Sequence, residues 1–471
     1  MAGNRISMRR RRSRKRAALL ALSLCLVGTG TVSAGDDMAH KTGDSVTTFN
    51  DIGRDSSAYG DDMPQSRPVR TIESHTDGAG IGCYLTNDER EYWRDNVTVD
   101  VSGSGGGNAH KNVTGLYLLD GGQLTINGNL KLRLANAAPA TRGDAPGADV
   151  AHYYMSGVYA GYGGQIRGRT HGDTRFTLGG TLDMDVVGVG LQANKDGYIT
   201  VGGGRIVTHA LGTDTYALLA EEGSVFMNTG ADGRERGTET VNIHGNLGVL
   251  HKNYGIDPNP DRHGSFISLA LPTADSVLTG AILNEFEESG GNPHNSGVDL
   301  YLSHNARWYN RWIGAPRERT VLERPNADAY LYRGSKLRTL CGGGSEEEQG
   351  NIFQQEASPI LVDSCSGFTR VVYTRAEDGS IRGGDFIVRH AAPGSHITMR
   401  LAAGAAVTDE AHTTMREALR ALAAKLRYQG YAAGERSLSA RVELAADTSA
   451  PAILHGEIWF REALINSAPS S

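Results

Sequence analysis

Two carboxylates, Asp183 and Asp185, stand two residues apart in a short apolar-polar alternation. In an extended strand, residues i and i+2 project from the same face, about 7 Å apart. That separation suits the acid and base of an inverting glycoside hydrolase. The alternation also has a structural explanation, because the intervening Leu, Met and Val residues would fill a core while both aspartates meet water. Catalysis by this pair is one hypothesis, and a solvated strand face is the other.

A second motif, Arg142-Gly143-Asp144, lies in the polar segment from Asn136 to Val150. Integrins recognise this tripeptide on an exposed turn through a cation and a carboxylate. Loops that leave a regular scaffold often carry binding residues. Three residues also recur by chance, so an ordinary solvated loop explains the same sequence. These three residues are retained as binding candidates.

The amino terminus has the layout of a secretory signal. A basic block from Arg9 to Arg16 precedes an apolar run from Ala17 to Val27, and Val32-Ser33-Ala34 supplies small residues for cleavage. The apolar run is short for a permanent membrane helix. We therefore expect export, with a signal peptide over 1–34 and display at the cell surface or outer membrane, release to the medium, or retention in the periplasm if the gene is truncated.

Cleavage after Ala34 would leave three cysteines in an oxidising compartment. Pairing Cys341 with Cys365 would close a loop of moderate length and stabilise it by roughly 3 kcal/mol. This is the disulfide that the sequence predicts. Cys83 is then left over, either as a buried inert thiol or as half of an intermolecular bridge.

Metal and cofactor chemistry have no sequence signature here. The cysteines lack zinc spacing, and both His-Glu-x-x-His and the calcium-binding Gly-Gly-x-Gly-x-Asp array are absent from the sequence. We expect neither a metal nor a cofactor. The net charge of −6 includes the basic signal, so the mature chain is more acidic. That balance argues against nucleic acid as the partner.

The elements that would position these residues are short strands between small turn residues. Glycine contributes 62 of 471 residues but proline only 14, which indicates turns more than disorder. The phrase Gly115-Leu116-Tyr117-Leu118, followed by Leu124-Thr125-Ile126, has a counterpart in Gly188-Val189-Gly190-Leu191, followed by Ile199-Thr200-Val201. Such repetition predicts an all-β fold, a parallel β-helix of roughly a dozen coils. Parallel connections favour right-handed winding.

The chain divides into four parts by composition. After the signal, 35–68 is polar and is predicted to be a flexible leader. The β-helix is expected over 69–404, and 405–471 would form a capping segment. In that segment the apolar spacing from Thr414 to Tyr428 predicts an amphipathic helix, and the alternation from Ser437 to Leu444 predicts a strand.

Three short segments follow one another toward the carboxyl end: Gly297-Val298-Asp299-Leu300-Tyr301-Leu302, then Gly334-Ser335-Lys336-Leu337, then Gly383-Gly384-Asp385-Phe386. Roughly from Gly297 to Leu444, the chain resembles the last coils of autotransporter passenger domains of Gram-negative bacteria. The resemblance implies a displayed β-helix. The sequence contains no series of strands suited to an outer-membrane barrel, so display would need a separate translocator.

Two functions follow from these observations. One is adhesion or another binding role at the cell envelope, with a host surface, matrix or glycan as partner. The other comes from fold analogy, since parallel β-helices also host polysaccharide lyases and glycoside hydrolases whose carboxylates project from an outer strand face. Asp183 and Asp185 are the catalytic candidates in the second case.

Overall fold

The structure is a computed structural model. It describes residues 69–75, 80–103, 113–136, 155–163, 165–166, 169–209, 216–231, 233–250, 264–284, 296–314, 334–375, 380–402, 418, 420–428, 438–444 and 454–456. Within these ranges nearly all regular structure is parallel β-sheet. The predicted parallel β-helix is confirmed, and its right-handed winding stays a prediction.

The strands form three long sheets, here called A, B and C, around a common interior. Sheet A is 14-stranded and contains, in spatial order, β1 (Val69–His75), β4 (Asn96–Gly103), β7 (Leu130–Asn136), β12 (Leu182–Val187), β15 (Gly204–His209), β18 (Val241–His244), β21 (Val277–Thr279), β24 (Arg307–Asn310), β26 (Gly350–Gln354), β28 (Phe368–Arg375), β31 (Ser395–Ala402), β33 (Leu438–Leu444) and β34 (Leu454–Gly456), with β29 (Ile381–Arg382) beside β28. Only β29 and β34 pair in the antiparallel sense.

Sheets B and C share the parallel arrangement. Sheet B contains β2 (Gly80–Leu85), β5 (Val113–Leu119), β8 (Met155–Gly161), β13 (Val189–Asn194), β16 (Tyr216–Glu221), β19 (Asn246–Leu250) and β22 (Ile282–Asn284). Sheet C contains β3 (Arg90–Trp93), β6 (Gln123–Ile126), β11 (Thr174–Leu178), β14 (Gly197–Val201), β17 (Ser224–Met227), β20 (Phe266–Leu271), β23 (Gly297–Leu302), β25 (Ser335–Cys341), β27 (Ile360–Ser366), β30 (Phe386–Ala391) and β32 (Leu426–Tyr428). A hairpin of β9 (Gln165–Ile166) and β10 (Arg169–Thr170) interrupts the third coil.

The repeated segments of the sequence form strands that stack on one another. Leu124 pairs with Phe176 and Phe176 with Ile199, so both quoted repeats lie in the same row of sheet C. The shortest coils take about 20 residues, as the separation of 22 residues between neighbours Asp183 and Arg205 shows. Other coils are longer because loops leave them.

One apolar core runs through the solenoid from Ile72 to Val442. Along each strand of sheet A, alternate residues point inward; Val97, Val99 and Val101 of β4 are at most 1% exposed. Outward neighbours such as Thr98 and Asp100 are half-buried. This alternation follows from the period-two geometry of a strand with one wet face.

Sheet B departs from that alternation. Every residue of β8, β13, β16 and β19 is buried. A second apolar cluster on its outer side contains Val189, Tyr216, Leu219, Leu250 and Leu283, with Trp312 packed against it. Sheet B is therefore covered on both faces.

Glycines within the strands of sheet B form a column. Gly82, Gly115, Gly157 and Gly190 occupy equivalent places in successive coils, and a Cβ at each would lie 2.5–2.9 Å from the carbonyl oxygen of the next coil. The sequence suggested that glycine marks turns, but these four lie inside strands. The close approach of neighbouring backbones along this column requires them.

The carboxyl end differs from its prediction. Residues 418 and 420–423 are helical, but Leu426–Tyr428 forms β32, which pairs with β30. The predicted helix therefore ends before Tyr428, and its beginning lies outside the described residues. The predicted strand near Leu444 is present as β33 and continues sheet A.

Candidate functional site

The predicted carboxylates Asp183 and Asp185 lie side by side on β12, on the outer face of sheet A. Arg133 on the preceding coil approaches both, at 3.5 and 3.2 Å. Arg205 on the following coil also approaches both, at 3.0 and 3.6 Å. His209 adds a contact of 2.7 Å between its Nε2 and Asp185. The result is an ion-pair ladder across three coils, formed because the register brings β7, β12 and β15 together.

In this ladder both aspartates form ion pairs with guanidinium groups of the neighbouring coils, which accounts for them without catalysis. Their side chains remain 42% and 31% exposed, so each ion pair contributes only a few tenths to about 1 kcal/mol. The shared face that the sequence predicted is present. Among the described residues, no group of three or more metal-ligating side chains could hold a metal ion.

Farther along the outer face of sheet A lies a second group of arginines. Arg307 on β24, Arg370 on β28 and Arg441 on β33 fall in one row, separated by Asn351 and Thr398. In the neighbouring row, Arg400 of β31 lies two positions along from Thr398. We call Arg307, Arg370, Arg400 and Arg441, together with the rings of Tyr309 and Phe353, the arginine face.

Two stacked pairs of aromatic rings flank the arginine row. Tyr309 and Phe353 are register partners on β24 and β26, and their rings stack with centroids 4.6 Å apart at an interplanar angle of 16°. On the other side of the arginine row, Phe368 and His396 stack at 4.4 Å and 10°. All four residues are half-buried.

The contacts of these arginines include neutral acceptors as well as a carboxylate. Arg307 donates to the carbonyl oxygen of Ala274 at 3.5 Å, and Arg370 donates to the amide oxygen of Asn351 at 3.1 Å. Arg441 pairs with Glu346. The register places Glu443 beside Arg400. Arginine thus exceeds carboxylate on this face within the described strands.

Sequence reasoning did not find the arginine face. Its members come from coils far apart in the chain, and in the sequence each is a single polar residue within an alternating strand. Only an alignment of the coils by strand register brings these residues together.

The predicted Cys341–Cys365 disulfide is wrong, since both cysteines are free thiols. Leu340, not Cys341, pairs with Cys365 across β25 and β27. Adjacent residues of a strand face opposite sides, so Cys365 enters the core at 1% exposure while Cys341 points outward. Burial raises the pKa of Cys365 to about 12.

Cys83 is buried in the core without a disulfide, which is the inert-thiol alternative. Burial raises its pKa far above the ordinary value, and the charge of Glu91 adds to the effect. Such a thiol does not ionise in the folded chain. An intermolecular bridge through Cys83 would require the first coil to open.

The tripeptide Arg142-Gly143-Asp144 lies outside the described residues. The segment 229–239, between β17 and β18, is described except at position 232 and folds back on sheet C. There Arg236 lies over the ring of Tyr301 at 4.4 Å, and the Tyr301 hydroxyl donates to Gly233 O at 2.8 Å.

Next to that loop, a bidentate ion pair joins neighbouring coils of sheet C. Arg338 donates from Nε and a terminal nitrogen to the two carboxylate oxygens of Asp299, at 2.8 and 2.6 Å. Burial opposes the charge of Arg338, but the hydrogen bonds and charge of Asp299 outweigh it and raise its pKa. The guanidinium also covers the Phe266 ring at 4.4 Å. The ion pair thus links β23 to β25.

Comparisons with protein-family models, with curated proteins and with solved structures give no match for the chain. Function must therefore be inferred from the chain itself.

A search for membrane-spanning helices in the described part of the chain finds none that is both long enough and apolar enough.

Proposed function

We propose that the chain is an exported β-helix that acts by binding, as an adhesin or another component of the cell envelope. The basic and apolar amino terminus supports export, and the resemblance to autotransporter passengers supports display. The parallel β-helix is the fold expected for such a passenger. A host surface, matrix or glycan is the proposed partner, and no cofactor or metal takes part.

The outer face of sheet A is the observation that carries the proposal. Its parallel strands keep one register from β1 to β33, so outward side chains form rows along the whole solenoid. Aromatic and arginine side chains occupy these rows over several coils. A long surface with regularly repeated side chains suits an extended ligand better than a small substrate.

Retention of the purified protein on surfaces tests the binding role. The protein is passed over bacterial cells, host cells, matrix and glycan supports, and the bound fraction is measured. Retention on at least one support is expected, and it should survive the double substitution D183N/D185N. Lack of retention on every support would remove the proposal.

Protease shaving of intact cells tests the location. A tag placed after Ser471 is followed by immunoblotting in surface, periplasmic and medium fractions. Loss of the tag from the surface fraction is expected, because protease added to intact cells cleaves protein displayed outside the outer membrane. A protease-protected periplasmic pool would instead contradict display, and the adhesin proposal would be abandoned.

A carbohydrate-active enzyme is the second candidate, because Asp183 and Asp185 do share an exposed strand face. Its test is product formation from polysaccharides by the wild type and by D183N/D185N. If these residues are the acid and base, the variant keeps its fold and loses the product. Equal activity would exclude them.

A further inference from the structure

We propose that the leader, residues 35–68, folds back over the amino-terminal end of the β-helix and covers the end of its core with the apolar side chains Val46, Phe49 and Ile52. The surface that receives the leader is the inner side of the first coil, formed by β1, β2 and β3. This inference concerns an interaction within the chain and does not depend on the proposed binding function.

The first coil is the end of all three sheets. Strands β1, β2 and β3 stand at the ends of sheets A, B and C, and each pairs with one described strand, which belongs to the following coil. The core of a solenoid continues from coil to coil, so its last layer needs a cap with a polar outer face. Among the strands that the structure describes, none lies over the first coil.

Side chains on the inner side of the first coil are nevertheless buried. Arg70 is 8% exposed, Trp93 is 1% exposed and Cys83 is 0% exposed. Outward side chains of the same coil differ, since Val69 is 58% exposed and Tyr92 is 56% exposed. The first coil is therefore covered across its end and open along its sides, and the cover comes from chain outside the described strands.

The charges of the first coil favour a small polar cover over a second copy of the protein. Arg70 begins the row that Val97 continues, and Glu91 begins the row that Leu124 continues. A second copy stacked on this end would bury both charged groups under a large surface, at a cost in desolvation. A short segment with a few apolar side chains can cover the apolar groups and leave water at the charged ones.

The leader has apolar residues at a regular spacing for this role. Val46, Phe49 and Ile52 recur at every third position among polar neighbours. This spacing predicts one apolar face on a short helical segment. Ser45 and Gly53 stand on either side of it, where a helix prefers a capping hydroxyl at its start and a glycine after its end.

The position of the leader in the chain allows it to reach the first coil. The leader runs directly into β1 at Val69, and Pro64 and Pro68 disfavour another strand of the sheet just before β1. The chain is therefore expected to leave the sheet at this point. Residues 53–68 span up to about 50 Å when extended, which is enough to bring 46–52 back across the end of the coil.

Thiol labelling of the purified protein with its leader tests the proposal, by comparing F49D with the wild type. Iodoacetamide should leave Cys83 unmodified in the wild type. A charge on the apolar face should detach the leader, so Cys83 should be labelled about tenfold faster or more in F49D. Cys365 lies in an inner coil and should stay unmodified in both proteins, which shows that the variant is folded. Cys341 should be labelled equally in both and serves as the control for the reagent.

The substitution T47D is the matched control, because Thr47 lies on the opposite side of the predicted helical segment. It should leave the labelling of Cys83 unchanged. Amide exchange in β1 and β3 gives an independent readout and should accelerate in F49D but not in T47D.

Equal labelling of Cys83 in F49D and the wild type would overturn the proposal, and so would equal effects of F49D and T47D. Sedimentation velocity tests the second copy as the occupant, and we expect a monomer. A dimer whose formation protects Cys83 in a concentration-dependent manner would also overturn the proposal, because the end of the coil would then be covered by another molecule.

Discussion

Ionisable side chains on the inner side of the first coil show how single residues respond to their place in a solenoid. Glu91 faces the interior row that Leu124 continues, and its Oε2 accepts a hydrogen bond from Trp93 Nε1 at 3.4 Å. Arg70 covers the Trp93 ring at 4.5 Å. Burial raises the pKa of Glu91, while the Trp93 hydrogen bond and the charge of Arg70 oppose the rise.

The substitution E91Q should make stability less dependent on pH. The folded chain holds the Glu91 proton to a higher pH than the unfolded chain does. Its contribution is therefore fully present below the ordinary pKa of 4.5 and is lost as pH rises through the folded pKa. Between about pH 4 and about pH 7, we expect the free energy of unfolding of E91Q, relative to wild type, to rise. Urea titrations at several pH values measure it, and a constant difference would contradict the assignment.

The three cysteines of the described residues, Cys83, Cys341 and Cys365, should differ in reactivity. In the native protein, iodoacetamide should alkylate Cys341 and leave Cys83 and Cys365 unmodified, because both are buried and only the thiolate reacts. Peptide mass spectrometry after labelling identifies the modified sites. Denaturation before labelling is the control and should expose all three. A cross-linked peptide containing Cys341 and Cys365 would contradict the structure.

At the scale of elements, the glycine column fixes how closely the coils of sheet B approach. A Cβ on Gly115 would lie 2.6 Å from Gly157 O and 2.7 Å from a Leu132 methyl group. The carbonyl belongs to the backbone of the next coil, so the clash is relieved only if the backbone of the sheet shifts.

The substitution G115A should therefore destabilise the protein by about 1–3 kcal/mol. Urea-induced unfolding measures the change. Gly202 provides the matched control, because a Cβ there meets nothing nearer than 3.7 Å, and G202A should be near neutral. Similar stabilities of G115A and G202A would show that the glycine column accommodates a methyl group.

The sequence predicted the elements well where local pattern determines them. Alternation such as Val241 and Ile243 against Asn242 and His244 reproduces the buried and half-buried residues of β18. Sheet B was harder to predict, because its outer face is also buried and its strands therefore lack the alternation of buried and exposed residues. The disulfide prediction failed for a related reason: sequence separation does not reveal the one-residue register offset that turns Cys341 and Cys365 to opposite faces.

The candidate sites also differ in how far the sequence could predict them. Asp183 and Asp185 share a strand, so their common face could be predicted from the spacing i and i+2. Their partners Arg133 and Arg205 come from other coils, and loops of unequal length hide the register. The arginine face consists entirely of such distant residues, and the sequence alone therefore could not reveal it.

At the scale of the whole molecule, each coil is stabilised chiefly by its two neighbours. Strands β3 and β32 end sheet C, whereas β14 lies well inside it. A terminal strand leaves hydrogen-bonding groups unpaired on one edge, so the solenoid should open from its ends.

Amide hydrogen exchange should show this gradient. Amides of β14 should exchange more slowly than those of β3 and β32, on the order of tenfold or more, because opening an inner coil disrupts two interfaces. Mass spectrometry of peptides after timed exchange gives the rates. G115A should accelerate exchange in β5 and β8 more than in β27, which serves as the distant internal reference. Uniform exchange along the chain would indicate one cooperative unit.

The in-register parallel ladders also determine how the molecule would respond to mechanical force. Hydrogen bonds between coils run along the solenoid axis, so tension between the two ends loads the coils in series. The outermost coil should peel first and transfer the load to the next. A coil of 22 residues at about 3.4 Å per residue releases about 75 Å of chain. A protein anchored to an envelope at one end and to a ligand at the other would thus lengthen in steps under shear before the attachment breaks.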